Sequence, residues 1–557
     1  MRLRRISHLF ILILFILYPT GMVLSAPENE PESPDAWSAV APGIEYQKYH
    51  VGKPTYPRDI NIFVARMDRS NLGVAIESSI AQGRLSGGTE TIGGMAARYD
   101  QAINYWGETW GNRNRVVVAI NGYFFGYPEE LPGVPWSGQI HSGWYAKRYS
   151  ETVGDAGFVW KLNREAYIGK CVYHRSERND VYFVGAAYDP NINAINVVRT
   201  DEQLILYTPQ YDATTKTLEN GATPRVEILI ELTRPGLLVS DPSNVRGYIR
   251  EIRRNNGSTP IPFDHVVLAA WGDVGSAMVN RINSDDIVVG NEVRITQEIT
   301  DCPSETVQHD WSKAYAGIGG DYHFLKDGVY YAPNNPDATW PNSRTVIAYN
   351  ASYVYYIVVD AFDPGVSLGI TIPELSYFLT RTLGATDAVS LDSGTSSTMV
   401  INGKVVNNTY CNYTRNCGTQ GTTGITPSGT NAPSSGSAIQ WSSAESQAYV
   451  GNGMMMVVVE PKSSSSSFVE GQIVSANQQT SIRLGPGTNY PALATMFTAE
   501  QGQVERHSVN GVLAKGSYWW KVAVGGSVGW VKEEALIGGQ IPKSPADVEL
   551  YLPIIER

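Results

Sequence analysis

The sequence predicts an α+β chain: a large, strand-dominated domain followed by a small all-β barrel. Three observations lead there. Short β-branched and aromatic runs, bounded by Gly, Pro, Asn and Asp clusters, recur across residues 41–460, which is the pattern of strands. Apolar residues near helical spacing occupy two stretches, Glu90 to Tyr105 and Ile372 to Leu383. A serine run, Ser463 to Ser467, then separates this body from a second set of short strands and tight turns. With 42% hydrophobic and 17% charged residues, the 557-residue chain is too apolar for disorder and can fill a large core.

Taken in order, residues 1–26 read as a signal peptide. Arg2, Arg4 and Arg5 form a basic start, Leu9 to Tyr18 an apolar run, and Val23-Leu24-Ser25-Ala26 a small-residue cleavage site. The run is about half the ~20 residues a spanning helix needs, so the expectation is a secreted or cell-surface protein with no membrane span after cleavage. Residues 27–40 are an acidic, Pro-rich leader, expected to be disordered. The main domain spans 41–460, with strands expected at Val116 to Ile120, Val226 to Leu232, Val266 to Ala270 and Tyr353 to Asp360. Thr371 as N-cap, Pro373 in the first turn and Gly384 as stop frame the second helix. Asn402-Gly403 is a hairpin turn. Residues 461–467 are a Ser-rich linker, 468–540 the barrel and 541–557 a short tail.

Composition narrows function. A net charge of −11 lacks the basic footprint that nucleic-acid binding needs. Tyr (32) and Trp (13) outweigh Phe (13), which supplies flat faces with polar handles suited to sugars. The four cysteines, Cys171, Cys302, Cys411 and Cys417, suggest two disulfides in an exported chain: Cys411 with Cys417 across a short loop, and Cys171 with Cys302. Their spacing does not suit a zinc cluster. His141, His265, His309 and His323 are scattered, and no nucleophile elbow, P-loop or zinc helix is present. Metal and cofactor requirements stay open.

The stretch Thr386 to Val400 stands out. An apolar strand delivers Asp392 into a turn containing Gly394 and the hydroxyls of Ser393, Thr395, Ser396, Ser397 and Thr398, before another strand. A carboxylate at a strand end followed by small residues lets a ligand approach the backbone. Asp392-Ser393-Gly394 also has the look of an aspartic-protease signature. That chemistry needs two such carboxylates sharing a proton, and this is the sole copy, so a protease reading requires a dimer.

Earlier, Val116 to Phe125 runs a strand into Asn121-Gly122-Tyr123-Phe124. Between the two lie Gly317-Ile318-Gly319-Gly320-Asp321, Asn342-Ser343-Arg344-Thr345, Val358-Val359-Asp360 and Ser367-Leu368-Gly369; Glu90 leads and Gly451-Asn452-Gly453 closes. This ordered set resembles the phosphodiester glycosidase family, relatives of the uncovering enzyme that removes N-acetylglucosamine from a sugar phosphodiester. Tyr123 and Ser393 stand where the family pattern has Gly, and Ala448 where it has Arg; the 123–316 region is longer than the pattern and is expected to contain an insertion. Within 468–540, Ser481-Ile482-Arg483-Leu484-Gly485-Pro486-Gly487, Asn489-Tyr490-Pro491, Trp519-Trp520 and Gly529-Trp530-Val531 resemble bacterial SH3-like (SH3b) domains, which implies cell-wall or peptide contact.

The resemblance implies an exported hydrolase cleaving the glycosidic bond of a sugar-1-phosphodiester, in a carbohydrate or sugar-phosphate polymer of a glycan or cell envelope. A phosphate leaving group needs charge stabilisation more than a proton, which makes Arg344 a candidate for a bidentate clamp. Positive charge developing on the sugar needs a carboxylate, for which Asp392 is the candidate, with Asn121 as the third catalytic residue. Gly122, Glu90, Gly320, Thr345, Asp360, Ser396, Ser397 and Thr398 are the candidates for substrate binding, Glu90 and Asp360 doubling as second carboxylates. A non-catalytic carbohydrate-binding protein with the same pocket is the alternative.

Overall fold

The computed structural model describes residues 36–99, 104–106, 109–111, 114–126, 133–149, 155–186, 188–198, 203–233, 245–311, 314–409, 417–419, 446–460 and 464–539. Strand accounts for 47% and helix for 11% of it. The α+β expectation is therefore corrected to a mostly-β fold. The reason lies in the helices. The spacing over Glu90 to Tyr105 yields only α1, Ile92–Tyr99, after which Asn104–Trp106 is already a strand. α2, Gly272–Asn283, and α3, Ile372–Arg381, complete the α-helices of the described residues. None forms a layer of its own. α3 starts where the sequence places it, with a reciprocal capping box between Thr371 and Glu374, an arrangement worth about 1 kcal/mol.

Three sheets make the main body. An eight-stranded sheet has Arg344–Tyr349 near its middle, between Tyr353–Val359 and Asp387–Ser390. A five-stranded sheet has Asn114–Asn121 between Met399–Ile401 and Asn452–Val459. The third, of eleven strands, is built wholly from residues 139–320. The long region between the two motifs thus folds largely as a sheet in its own right, and the sheet's strand Ala314–Gly320 returns the chain to the site. Apolar side chains from all three sheets, including Ile120, Phe158, Ile318, Val358, Met399 and Met454, share one core. On the other face of the eight-stranded sheet, α3 buries Leu375, Phe378 and Leu379 against Val346, Ala348 and Ile357. The hairpin at Asn402-Gly403 is a two-residue turn with both residues at positive φ, 46° and 77°, the conformation that Asn-Gly favours.

Cys171 and Cys302 are disulfide-bonded, with Cα atoms 5.4 Å apart. The Cys411–Cys417 pairing, the signal peptide, the leader and the tail lie outside the described residues. Residues 473–538 form a separate antiparallel sheet of eight strands. The described part of the serine run is bonded to it: the Ser465 amide donates to the Gly511 carbonyl at 2.7 Å and the Ser467 hydroxyl to Glu533 at 2.9 Å.

Candidate active site

The site forms where the eight- and five-stranded sheets meet. Val346 pairs with Ser390 and Ile347 with Val389. The Leu391 amide then donates to the Thr345 carbonyl at 2.9 Å, so the chain past Ser390 keeps running beside the Arg344 strand. That register carries Asp392 to the level of Arg344. A single 3₁₀ turn, Gly394–Ser396, follows, and the chain enters Met399–Ile401 in the other sheet. The Asp392 loop is the seam between two sheets.

Asn121, the last residue of its strand, fastens that seam. Its Nδ2 donates to the Asp392 carbonyl at 2.9 Å, and its Oδ1 accepts the Thr345 hydroxyl at 2.7 Å and the Thr398 amide at 3.1 Å. The Asp392 amide donates to the Gly122 carbonyl at 3.1 Å. Gly122 is required by packing: a Cβ there would lie 1.8 Å from Asn452 Oδ1 and 2.5 Å from Ile318 Cδ1. Gly320 is likewise enclosed, 2.3 Å from Val389 Cγ2. Among the sequence-predicted residues, Asn121, Gly122, Thr345, Asp392, Ser396, Ser397 and Thr398 therefore converge. The Asp392 carboxylate accepts the Ser396 hydroxyl at 2.6 Å.

Arg344 is buried at the same strand end. Its Nη2 donates to the carbonyls of Asp337 (2.7 Å) and Trp340 (2.9 Å), and Nε reaches the Ile370 carbonyl at 3.4 Å. Among the described residues nothing takes the two hydrogens of Nη1. Burial lowers its pKa from the usual arginine value, while Tyr322, Asp337 and Asp321 act in the opposite sense. Trp340 is exposed, as is Trp136, whose ring packs on Phe124 with centroids 5.6 Å apart.

Two other predicted residues connect indirectly. Asp360 accepts from Asn407 Nδ2 (3.1 Å) and the Asn408 amide (3.0 Å), and Asn407 also donates to the Ser397 carbonyl. Burial pushes the Asp360 carboxyl up to about 6. Glu90 is held by Arg98 and the Gln82 amide and reaches the site through a backbone bridge to Val450, two residues before Asn452.

The structure adds three residues to the sequence reading. Asp321 follows the strand Ala314–Gly320, and its amide donates to the Ser390 carbonyl at 2.8 Å. Burial raises its pKa, opposed by the Tyr322 hydrogen bond and the charge of Arg344. Asn407 carries the Asp360 connection. Asn452 is buried beside Gly122, its carbonyl accepting the Gly122 amide at 2.9 Å. Four buried side-chain atoms here have no partner among the described residues: Asn452 Oδ1 and Nδ2, Ser397 Oγ and Thr398 Oγ1. Buried polar groups are almost always paired, which sets these four atoms apart from the hydrogen-bonded groups around them. Asp321 and Asn452 fall within the ordered motifs, but the sequence alone assigns them no role.

Among the described residues no group of three His, Cys, Asp or Glu side chains is placed to hold a metal ion. An open cleft lined by Ala39, Glu45, Asp68 and Tyr353 lies at the other end of the eight-stranded sheet and contains none of the candidate residues.

Residues 251–420 match the phosphodiester glycosidase family. That span includes Arg344, Asp360 and Asp392 and points to glycosidase chemistry on phosphodiesters; Glu90, Asn121 and Asn452 fall outside it. Solved structures with a similar trace include a hypothetical protein from Synechocystis, 14% identical, with a TM-score of 0.46 over 75% of this chain and 62% of that one. The chain thus spans less than two thirds of that protein. A protein of Burkholderia pseudomallei described as exported is 15% identical, with a TM-score of 0.43 over 72% and 74% of the two chains. The catalytic domain of zebrafish N-acetylglucosamine-1-phosphodiester alpha-N-acetylglucosaminidase, auto-inhibited by its pro-peptide, is 11% identical, with a TM-score of 0.34 over 76% and 84%. Likenesses this distant carry no functional argument. No curated protein matches the chain.

Proposed function

We propose that the chain hydrolyses the glycosidic C1–O bond of a sugar-1-phosphodiester within an extracellular glycan or cell-envelope polymer. The observation that supports it is the set of unpaired buried atoms on Ser397, Thr398 and Asn452 around the Asp392 loop. They are short, neutral donors and acceptors, the chemistry that sugar hydroxyls and phosphate oxygens require. The family match over 251–420 supports the same reaction class.

In this reading a phosphate ester leaves with the bonding electrons of the C1–O bond. Arg344 offers both Nη1 hydrogens to it, and its other N–H groups, held by backbone carbonyls, fix the plane of the fork. Pre-oriented charge of this kind acts without reorganisation in the transition state. Asp392 faces the cationic sugar, as nucleophile or as electrostatic stabiliser, with its carboxylate oriented by Ser396. Asp321 is a second carboxylate at the same strand ends; its raised pKa suits it to take a proton from the attacking water. The exposed indoles of Trp136 and Trp340 offer flat faces to further sugars. The signal-peptide reading places the reaction outside the cell, and the SH3-like resemblance of 468–540 adds a contact with cell-wall material.

The test is hydrolysis of synthetic sugar-1-phosphodiesters in ¹⁸O-labelled water, followed by ³¹P NMR and mass spectrometry. Cleavage at C1 puts the label on the sugar; label in the phosphate refutes the reaction. The binding-protein reading is favoured by Ala448, a buried small residue where the family pattern has Arg. It predicts glycan binding with no turnover of any diester.

A further inference from the structure

The loop Thr259-Pro260-Ile261-Pro262-Phe263-Asp264 precedes the strand His265–Ala270 of the main body. Its two prolines restrict the backbone to extended conformations, which lowers the entropy lost on docking. Ile261 is buried in the main body, beside Tyr207 and Tyr211. Phe263 turns the other way, into the C-terminal sheet. Its ring meets Tyr490 (centroids 5.8 Å, 77°) and Trp530 (6.5 Å, 89°) edge-on, and its amide donates to the Leu484 carbonyl at 3.0 Å. Asp264, fully buried, accepts from Lys521 Nζ at 2.6 Å, in the C-terminal sheet, and from His507 Nε2 at 2.8 Å, in the loop between its strands Gln501–Val504 and Val512–Ala514. His265 Nδ1 meets its other oxygen at 2.6 Å.

These contacts have the form of peptide recognition. An aromatic anchor fills an aromatic-lined cleft, a main-chain bond sets register, and a desolvated carboxylate meets dedicated donors. The cost of taking the Asp264 charge out of water is offset by matched partners on both sides, His265 in the main body and His507 and Lys521 opposite it. We propose that the C-terminal sheet carries a binding cleft for proline-flanked Phe-Asp peptide segments, and that the loop 259–264 occupies it in cis. A tethered ligand of this kind acts at an effective concentration in the millimolar range, so a free segment of the same chemistry has to displace Phe263.

The experiment uses the full-length protein and a synthetic peptide Pro-Ile-Pro-Phe-Asp-His, titrated by calorimetry into wild type and Phe263→Ala. The variant, with its cleft vacated, should bind at least about tenfold more tightly than wild type, and a peptide with Ala in place of Phe should bind neither protein. Equal or absent binding to both, with the variant's circular dichroism unchanged, overturns the proposal. Should Phe263→Ala fail to fold, hydrogen exchange on wild type carries the test. Millimolar peptide should accelerate exchange of the Phe263 amide, and unchanged protection refutes displacement. Neither readout depends on turnover, so this proposal and the hydrolase reading fail separately.

Discussion

Removing the Asn121 side chain should destabilise the protein by about 2–6 kcal/mol. The figure follows from what the amide holds. In Asn121→Ala the Thr398 amide and the Asp392 carbonyl both lose the bond to the Asn121 amide, of 3.1 and 2.9 Å. Each is buried backbone, and leaving such a group unsatisfied costs about 1–3 kcal/mol. The Thr345 hydroxyl, now 2.7 Å from Oδ1, can rotate and adds little. With a urea m-value of at least about 3 kcal/mol/M, the midpoint falls by up to about 2 M. Asn121→Asp keeps shape and the Oδ1 acceptor but faces a carboxylate oxygen to the Asp392 carbonyl, so its loss should be at least as large. Turnover should fall with stability, because the loop carrying Asp392 is anchored here, and KM should move less than kcat. A midpoint within about 0.2 M of wild type, with KM alone raised, would refute the anchoring role and make Asn121 a substrate ligand instead.

Asp392→Asn should lower turnover by about 10² or more on any diester the native protein cleaves, and wild-type turnover in this variant would sink the mechanism. Arg344→Lys should reduce kcat more than it raises KM, since the fork acts where phosphate charge grows; a pure KM effect would point to ground-state binding. Asp360 has a raised folded pKa, from 3.8 to about 6, so its contribution to stability is fully present below the unfolded value and is lost as pH rises through about 6. Asp360→Asn should therefore flatten denaturation midpoints between about pH 4 and 6, and an unchanged slope counts against the shift. Asp264 has the opposite sign: its pKa is held well below the usual value, its burial being outweighed by His265, His507 and Lys521. Its contribution is present above about pH 4 and lost as pH falls through the depressed folded value. Acid should loosen the C-terminal sheet first, seen as earlier exchange of the Phe263 amide than of the Ile347 amide; simultaneous exchange would contradict this.

Much of the fold could be read directly. Every strand expected in the main domain is present within two residues at each end, because β-branched runs between turn residues have few other ways to be buried. The class was misjudged on α1. Ile92, Met95, Ala96 and Tyr99 do fall on one buried face, but by Asn104 the chain is already paired as a strand. The 139–320 sheet was illegible for a different reason. Its pairing is non-local, with Val172 opposite Asp301 and Leu204 opposite Ala270, and nothing in a strand's own residues names its neighbour.

The site divides along the same physical line. Asp392 and Asn121 were legible because each follows an apolar run at a turn, where the backbone stops pairing and side chains become available. What those side chains do was not legible. Asn121 spends its amide on the protein's own backbone, while Asn452, in the middle of motif text that seemed merely to close the domain, is left with both amide atoms unpaired. A carboxamide's value to a ligand depends on which of its hydrogen bonds are already taken, and that is decided by partners more than three hundred residues away in sequence: the Gly122 that admits Asn452 would clash with it as any other residue. The same reasoning ranks the carboxylates. Glu90 is paired with Arg98 and Asp360 already accepts hydrogen bonds from its two asparagine neighbours, whereas Asp321, ordinary in sequence, follows its strand at a position where it feels the charge of Arg344. Asn452→Ala is therefore the sharpest test of which asparagine serves the ligand. It removes two unpaired atoms, so stability should change by less than about 1 kcal/mol, while affinity for the diester should drop. A large stability loss at unchanged affinity would return Asn452 to a structural role.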